Sequence, residues 1–385
     1  MEEQTKKTGL FEKGGKLGFL HSTVDAFETF LRVPGTVSLK GAHVRDSIDL
    51  KRIMIIAVVS VIPAALFGMW NVGYQHSLAT GIAGAHIWDN FWFGFWRVIP
   101  LYIVSYVVGL AIEFASAQIR NEEVNEGYLM SGMLIPLIVP IDVPLWMLAV
   151  AVAFAVLFGK EVFGGTGMNI WNPALLTRAF LFFSYPNSMS GSSTWITFRK
   201  AETAIDGFTG ATPMSFMGDG LDALTNAGAQ YDTSFWTMFW GGIPGSVGET
   251  SVIAIRIGAF ILLYTGVASW KIMVSSVAGA LFVGWLGQIG GATDIPCWYQ
   301  LVMGGFAFGT VFMATDPVTS AQTECGKWIY GFLVGALCVT VRLFNPGYAE
   351  GMMLAILLGN TFAPLIDYCV VDAHISRKNK KARIA

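Results

Sequence analysis

The stretch Asp206-Gly207-Phe208-Thr209-Gly210-Ala211-Thr212-Pro213 is the sharpest chemical signal in this sequence. Gly207 and Gly210 let a backbone turn tightly and approach a bulky group. Thr212 then presents a hydroxyl between the small Ala211 and a proline that stiffens the next residues. Taken alone, such a hydroxyl is an ordinary turn residue. A second Gly-rich run, Gly159-Lys160-Glu161-Val162-Phe163-Gly164-Gly165-Thr166-Gly167, leads to Asn169 and Asn172. In mid-membrane its backbone must be satisfied by protein or ligand, because lipid offers no hydrogen bonds. Asn169 and Asn172 both donate and accept; capping of broken helices is their plainer use.

Acidic residues at membrane depth form a third group: Glu113, Asp316 and Asp367. A carboxylate there is costly unless paired or wetted, which marks each as a candidate for ion coupling. Hard oxygen ligands suit a hard cation. The alternative is a structural pair with Arg178 or Arg256. Gly109 lies one helical turn before Glu113 on the same face, and helix packing is its bland reading. The stretch Gly245-Ser246-Val247-Gly248-Glu249-Thr250 could offer backbone N–H groups to a ligand, or simply start a helix with Glu and Thr as caps.

The elements that must position these groups follow from composition. The 385 residues are 54% hydrophobic and 13% charged, about half the charge of a soluble domain. Lipid is the solvent that tolerates such a chain, and a net charge of −2 gives no support to a nucleic-acid partner. We expect an all-α integral membrane protein with about ten spans, near 53–70, 98–117, 129–139, 144–159, 172–184, 252–265, 271–288, 300–314, 328–342 and 351–369. Several are shorter than the ~20 residues a crossing needs, as broken helices are. With the N-terminus inside, eighteen Lys and Arg fall on the cytoplasmic side and four outside, which places both termini in the cytoplasm.

An internal repeat is visible. Met130-Ser131-Gly132 leads to Pro140-Ile141-Asp142-Val143-Pro144, Trp146 and Asn172-Pro173; Met303-Gly304-Gly305 leads to Thr315-Asp316-Pro317-Val318-Thr319, Trp328 and Asn345-Pro346. The units start on opposite sides, which gives two inverted repeats with broken half-helices. The expected organisation is a cytoplasmic region over 1–50 with an amphipathic helix around Phe19–Leu31, five-helix repeats over 51–184 and 251–370, an outer loop over 185–250, and a basic tail over 371–385. The start has no apolar core and does not read as a signal peptide. Cys297, Cys325, Cys338 and Cys369 lack metal-ligand spacing and read as packing residues; five scattered histidines argue against a haem or zinc site.

Asp-Gly-x-Thr-Gly-Ala-Thr resembles the turn where a flavin transferase esterifies threonine with the phosphate of FMN, in the B subunit of the bacterial sodium-pumping NADH:quinone oxidoreductase and a related subunit of the Rnf complex. Glu123-Val124-Asn125-Glu126-Gly127, the run from Gly159 to Gly167, Asn172-Pro173-Ala174, Arg178-Ala179-Phe180-Leu181-Phe182-Phe183 and Ala314-Thr315-Asp316-Pro317-Val318 also look like that protein. The likeness runs from about Gly14 to the basic tail. It implies FMN on Thr212 at the periplasmic face, within a loop formed by Asp206, Gly207, Thr209, Gly210 and Ala211. It implies noncovalent riboflavin near Asn169, Asn172 and Asp316, where asparagines suit the edge of a flavin ring. Quinone is placed near Gly109 and Glu113, and Na+ coupling at Glu113, Asp316 and Asp367. The setting implied is the bacterial inner membrane, with a flavin transferase during maturation.

No dinucleotide fingerprint and no Fe–S cysteine set are present, so NADH oxidation falls to other subunits of a redox complex. The long N-terminal region favours the sodium pump over the Rnf type. A non-redox channel or transporter with inverted repeats is the alternative from another class.

Overall fold

The computed structural model describes residues 41, 50–82, 86–120, 127–189, 194–198, 204–205, 208–216, 220, 224, 226, 228–229, 231–345 and 350–384. The amphipathic helix expected around Phe19–Leu31, most of Glu123–Gly127, and Asp206, Gly207 and Pro346 lie outside them. Among the described residues there is no strand beyond one isolated bridge, Thr209 with Ala229.

Numbered in chain order, the main helices are α1 (Leu50–Thr80), α2 (Ile87–Arg120), α3 (Tyr128–Ile138), α4 (Leu145–Gly159), α5 (Pro173–Ser184), α6 (Val252–Tyr264), α7 (Trp270–Ile289), α8 (Glu324–Phe344) and α9 (Met352–Ile384). The ten expected segments therefore occur in order. The eighth is not one helix: it is an α-turn over Phe306–Phe308 running into a π-turn over Gly309–Met313, an irregular form that proteins keep mostly at functional places. Among the described residues, six helices are long and apolar enough to cross a membrane. At ~1.5 Å per residue, α3, α5 and α6 reach only about 16–20 Å, short of the ~30 Å hydrocarbon layer. The chain is a multi-pass membrane protein built partly of half-helices.

Helices α1 and α2 extend beyond the expected 53–70 and 98–117. Their outer turns mix tryptophan, glycine and polar residues, so an apolar window ends before the helix does. On α2 the buried residues Asn90, Gly94, Val98, Leu101, Ser105, Gly109 and Glu113 recur every three or four positions and make one stripe toward the protein. Trp88, Trp92, Trp96, Ile103 and Val107 are exposed, as lipid permits. Helices α7 and α8 meet through glycine: a Cβ on Gly335 would run into the Ser276 backbone. Small residues let membrane helices approach until dispersion holds them.

The packing repeats. Helix α2 packs on α3 and α4, and α5 on α3 and α4; likewise α7 packs on the broken segment and α8, and α9 on both. Helices α1 and α6 pack across the centre. The matching turns fall at opposite ends of α1. Asp142 accepts from Thr197 Oγ1 at 2.7 Å, and the Thr197 carbonyl meets His76 near the end of α1 at 2.9 Å. Asp316 instead shares a cavity with Ile53 and Met54 at the start of α1. From Met54 to His76 is about 33 Å along the helix.

Candidate functional site

Two sites lie at opposite ends of the bundle. At the end where α1 finishes, residues 208–216 form a braced turn. The Thr209 N–H donates to the Gly228 carbonyl at 3.4 Å, and the Ala211 N–H to Thr209 Oγ1 at 3.3 Å. Tyr231 donates its phenol proton to the Ala211 carbonyl at 2.6 Å; burial raises that phenol's pKa and keeps the proton in place. Gly210, Ala211, Pro213 and Met214 are buried while Thr212 is half-exposed. Its Oγ1 has Ser215 Oγ beside it at 3.4 Å, and its carbonyl accepts from Ser215 N–H. A hydroxyl held on a rigid turn with an open approach fits a phosphoester attachment.

Beneath this turn, Met214 lies against Gly304, beside the Arg342 guanidinium. Arg342 is spent on carbonyls, those of Gln300 at 2.7 Å, Met303 at 2.9 Å and Glu350 at 3.1 Å. Next along the chain, Gly305 sits under two carboxylates, where a Cβ would strike both Glu249 and Glu350. Both bind Arg178, Glu249 at 2.9 Å and Glu350 through both guanidinium nitrogens. Arg178 thus answers Glu249 and Glu350 rather than the acids expected to need it, and Arg256 lies over the Phe239 ring at 4.6 Å. The 245–250 stretch does not cap α6 with Glu249 or Thr250. Ser251 does so, accepting from the Ala254 N–H at 3.3 Å, and the Gly248 N–H goes to the Leu137 carbonyl at 2.8 Å.

At the other end, Asn169, Asn172 and Asp316 line one cavity together with Lys160, Thr166 and Gly127. Asn172 Oδ1 caps α5, accepting from Ala174 N–H at 3.0 Å and Leu175 N–H at 3.4 Å, with Pro173 in the first turn. Asn172 and Asp316 line the same cavity. The Asp316 oxygens accept from Val318 N–H at 3.1 Å and Thr319 Oγ1 at 3.0 Å. Asn169 donates to the Trp171 carbonyl at 3.1 Å. Capping and cavity lining therefore coexist on these residues. We expect Asn172→Ala to destabilise by about 1 kcal/mol through the lost cap, which a thermal scan checks.

Lys160 closes the cavity and forms a buried ion pair with Glu113. Thr166 Oγ1 also donates to the Glu113 Oε1 at 3.3 Å, while Oε2 is buried without a hydrogen-bond partner. Arg120 pairs with Glu161 alongside, at 3.4 Å. Gly109 is filled: the Tyr128 ring occupies the place of its Cβ, so a quinone ring on that face would have to displace Tyr128. Asp367 has a structural task. It accepts from Gln322 N–H at 2.7 Å, Thr323 N–H at 2.9 Å and Thr323 Oγ1 at 2.5 Å, which holds the start of α8.

The cavity has a volume of about 70 Å³, far below the ~300–1,000 Å³ of ordinary ligand pockets. Its polar groups match the edge of a flavin, but a tricyclic ring does not fit in this conformation. One wall is the 160–172 loop, whose Gly164, Gly165 and Gly167 all have positive φ, a conformation that glycine takes without steric cost. Among the described residues no cluster of His, Cys, Asp and Glu could hold a metal. Cys338 is buried as expected of a packing residue, whereas Cys325 and Cys369 are exposed.

The family model described as NQR2, RnfD, RnfE matches residues 37–376. A protein of Ectopseudomonas mendocina, named as the B subunit of Na(+)-translocating NADH-quinone reductase, is 44% identical over 396 residues, covering 96% of each chain. Proteins of the same name from Chromohalobacter salexigens and Azotobacter vinelandii are 44% and 43% identical, covering 96% of this chain and 94% and 96% of their own.

Proposed function

We propose that this chain, which belongs to the NQR2, RnfD, RnfE family, carries FMN on Thr212 and takes part in moving electrons across the membrane toward quinone, coupled to Na+ translocation. It is a multi-pass membrane subunit of a Na(+)-translocating NADH-quinone reductase, as its full-length relatives are named. The other subunits of that complex are its partners. The observation that carries the flavin reading is the half-exposed Thr212 hydroxyl on its braced turn. FMN, when bound, supplies one-electron chemistry.

The chain's own residues position and insulate. Tyr231 and Thr209 fix the turn, and Phe306, Phe308, Phe312 and Met313 keep the broken segment below it dry. That segment leads to Asp316, Asn172 and Asn169, where the proposed riboflavin site takes shape only once the 160–172 loop opens. Glu113, paired with Lys160, sits next to this place and is our candidate for holding or releasing a proton or Na+ near quinone. The 96% coverage by relatives named as the B subunit of the sodium pump supports that reading over the Rnf type. Charge asymmetry supports a periplasmic Thr212 and cytoplasmic termini in the bacterial inner membrane.

The test is in-gel fluorescence. Denatured chain co-expressed with a flavin transferase should glow under ultraviolet light. A dark band under those conditions would favour the non-redox transporter reading.

A further inference from the structure

A groove of about 640 Å³ runs down the surface where α7, α8 and α9 meet. Its walls are almost wholly apolar: Ala278 of α7, Trp328, Phe332 and Ala336 of α8, and Phe362 and Leu365 of α9. Most of these side chains are open to the surroundings, so the groove is a furrow in the membrane-facing surface. It plays no part in the sites above.

Its mouth is polar in a particular way. Trp270 and Trp328 meet edge to face there, with centroids 5.6 Å apart, in the manner of the aromatic belts that mark the membrane–water boundary. Lys271 and Lys327 flank them and share one carboxylate, Glu324, the second at 3.1 Å. With Asp367 alongside, two ammonium groups face two carboxylates here, and the surplus of positive charge on this side of the protein comes from the basic end of α9. Both lysines keep about a quarter of their side chains exposed. The nearby Asp367 is turned onto the amides at the start of α8. Beyond this level α9 continues as an exposed helix bearing Arg377, Lys378, Lys380 and Lys381. Basic segments directly following a membrane helix attract anionic lipid.

We propose that this groove is a binding site for one anionic phospholipid of the leaflet on the basic side of the protein. One acyl chain lies along Ala278, Phe332, Ala336 and Phe362, and the phosphate sits between Lys271 and Lys327 under the tryptophan pair. A neutral transmembrane helix would fill the furrow but would leave the positive charge on this side unanswered. An anionic headgroup answers both.

The test uses the whole complex, purified in detergent and washed free of loose lipid, with phospholipids counted by class in a mass spectrometer. Wild type should keep one tightly held anionic phospholipid more than either of two variants. In Ala278→Trp the groove is filled from an exposed position; in the double variant Lys271→Gln/Lys327→Gln the headgroup contacts are removed and the groove is left open. Returning the complex to nanodiscs containing phosphatidylglycerol should raise the wild-type melting temperature more than the double variant's, whereas phosphatidylcholine nanodiscs should not separate them. Equal anionic lipid in all three would overturn the proposal. So would retention of zwitterionic lipid instead, or loss of a partner subunit from Ala278→Trp with lipid unchanged, which would make the groove a seat for a protein helix. If Ala278→Trp fails to assemble, the lysine variant decides the matter by itself.

Discussion

Replacing Thr212 by alanine should take covalent FMN from one per chain to none and bring quinone reduction by the assembled complex to background. The reasoning is chemical and local. An ester needs the Oγ1 oxygen, and the neighbouring Ser215 hydroxyl at 3.4 Å belongs to the 3-10 turn that follows and lies outside the Asp-Gly-x-Thr-Gly-Ala-Thr motif. Thr212→Ser keeps the oxygen and should keep attachment. Little of the fold hangs on this side chain, because the turn is braced through Ala211, Thr209 and Tyr231. Thr212→Ala should therefore assemble and melt within about 0.5 kcal/mol of wild type, as surface substitutions usually do. A variant that loses both flavin and assembly would refute this division of labour.

Removing Arg178 should have the largest effect on stability. Its guanidinium is buried and holds Glu249 and Glu350 together above Gly305. Arg178→Met leaves two carboxylates facing each other away from water. Breaking a buried pair costs about 3–5 kcal/mol, because the remaining charge is uncompensated. Total stabilities are about 5–15 kcal/mol, so we expect a melting temperature roughly 10 °C lower and poor recovery in detergent. The triple substitution Arg178→Met/Glu249→Gln/Glu350→Gln removes the stranded charges and should recover much of the loss. Size-exclusion profiles against temperature measure this, and a triple variant no better than Arg178→Met would remove the electrostatic explanation.

Much of this arrangement is legible in the sequence because it depends on local pattern. The glycines and small residues around Thr212 specify a turn, and the short apolar segments ending in Asn172-Pro173 and Thr315-Asp316-Pro317 specify half-helices. The repeat pairs Asp316 with Asp142 and Asn172 with Asn345, whereas the fold brings Asn172 and Asp316 to one cavity.

Pairings across the fold are hidden. Glu113 needs a cation, but its partner is Lys160, 47 positions away in the Gly-rich run, rather than Arg178 or Arg256. Periodicity reveals a face and says nothing of what lies opposite. Glu350 gives no sign of its role because it lies in a turn between apolar runs, where an acid needs no special account. A mid-helix arginine in a chain so poor in charge is the signal that such an acid must exist. Asp367 looks like an ion ligand because its depth is costly, yet the amides starting α8 satisfy it. The volume at Asn172 is equally beyond the sequence, since it depends on how far the 160–172 loop folds inward.

The central claim is that a hydroxyl on a rigid turn above this membrane scaffold bears FMN. Intact-mass measurement of the chain, matured with a flavin transferase, tests it most directly. Wild type should carry the added mass of one FMN, fragmentation should place it on Thr212, and Thr212→Ala should show the bare polypeptide mass. A wild-type chain at its bare mass, or the flavin located on another residue, would contradict the account.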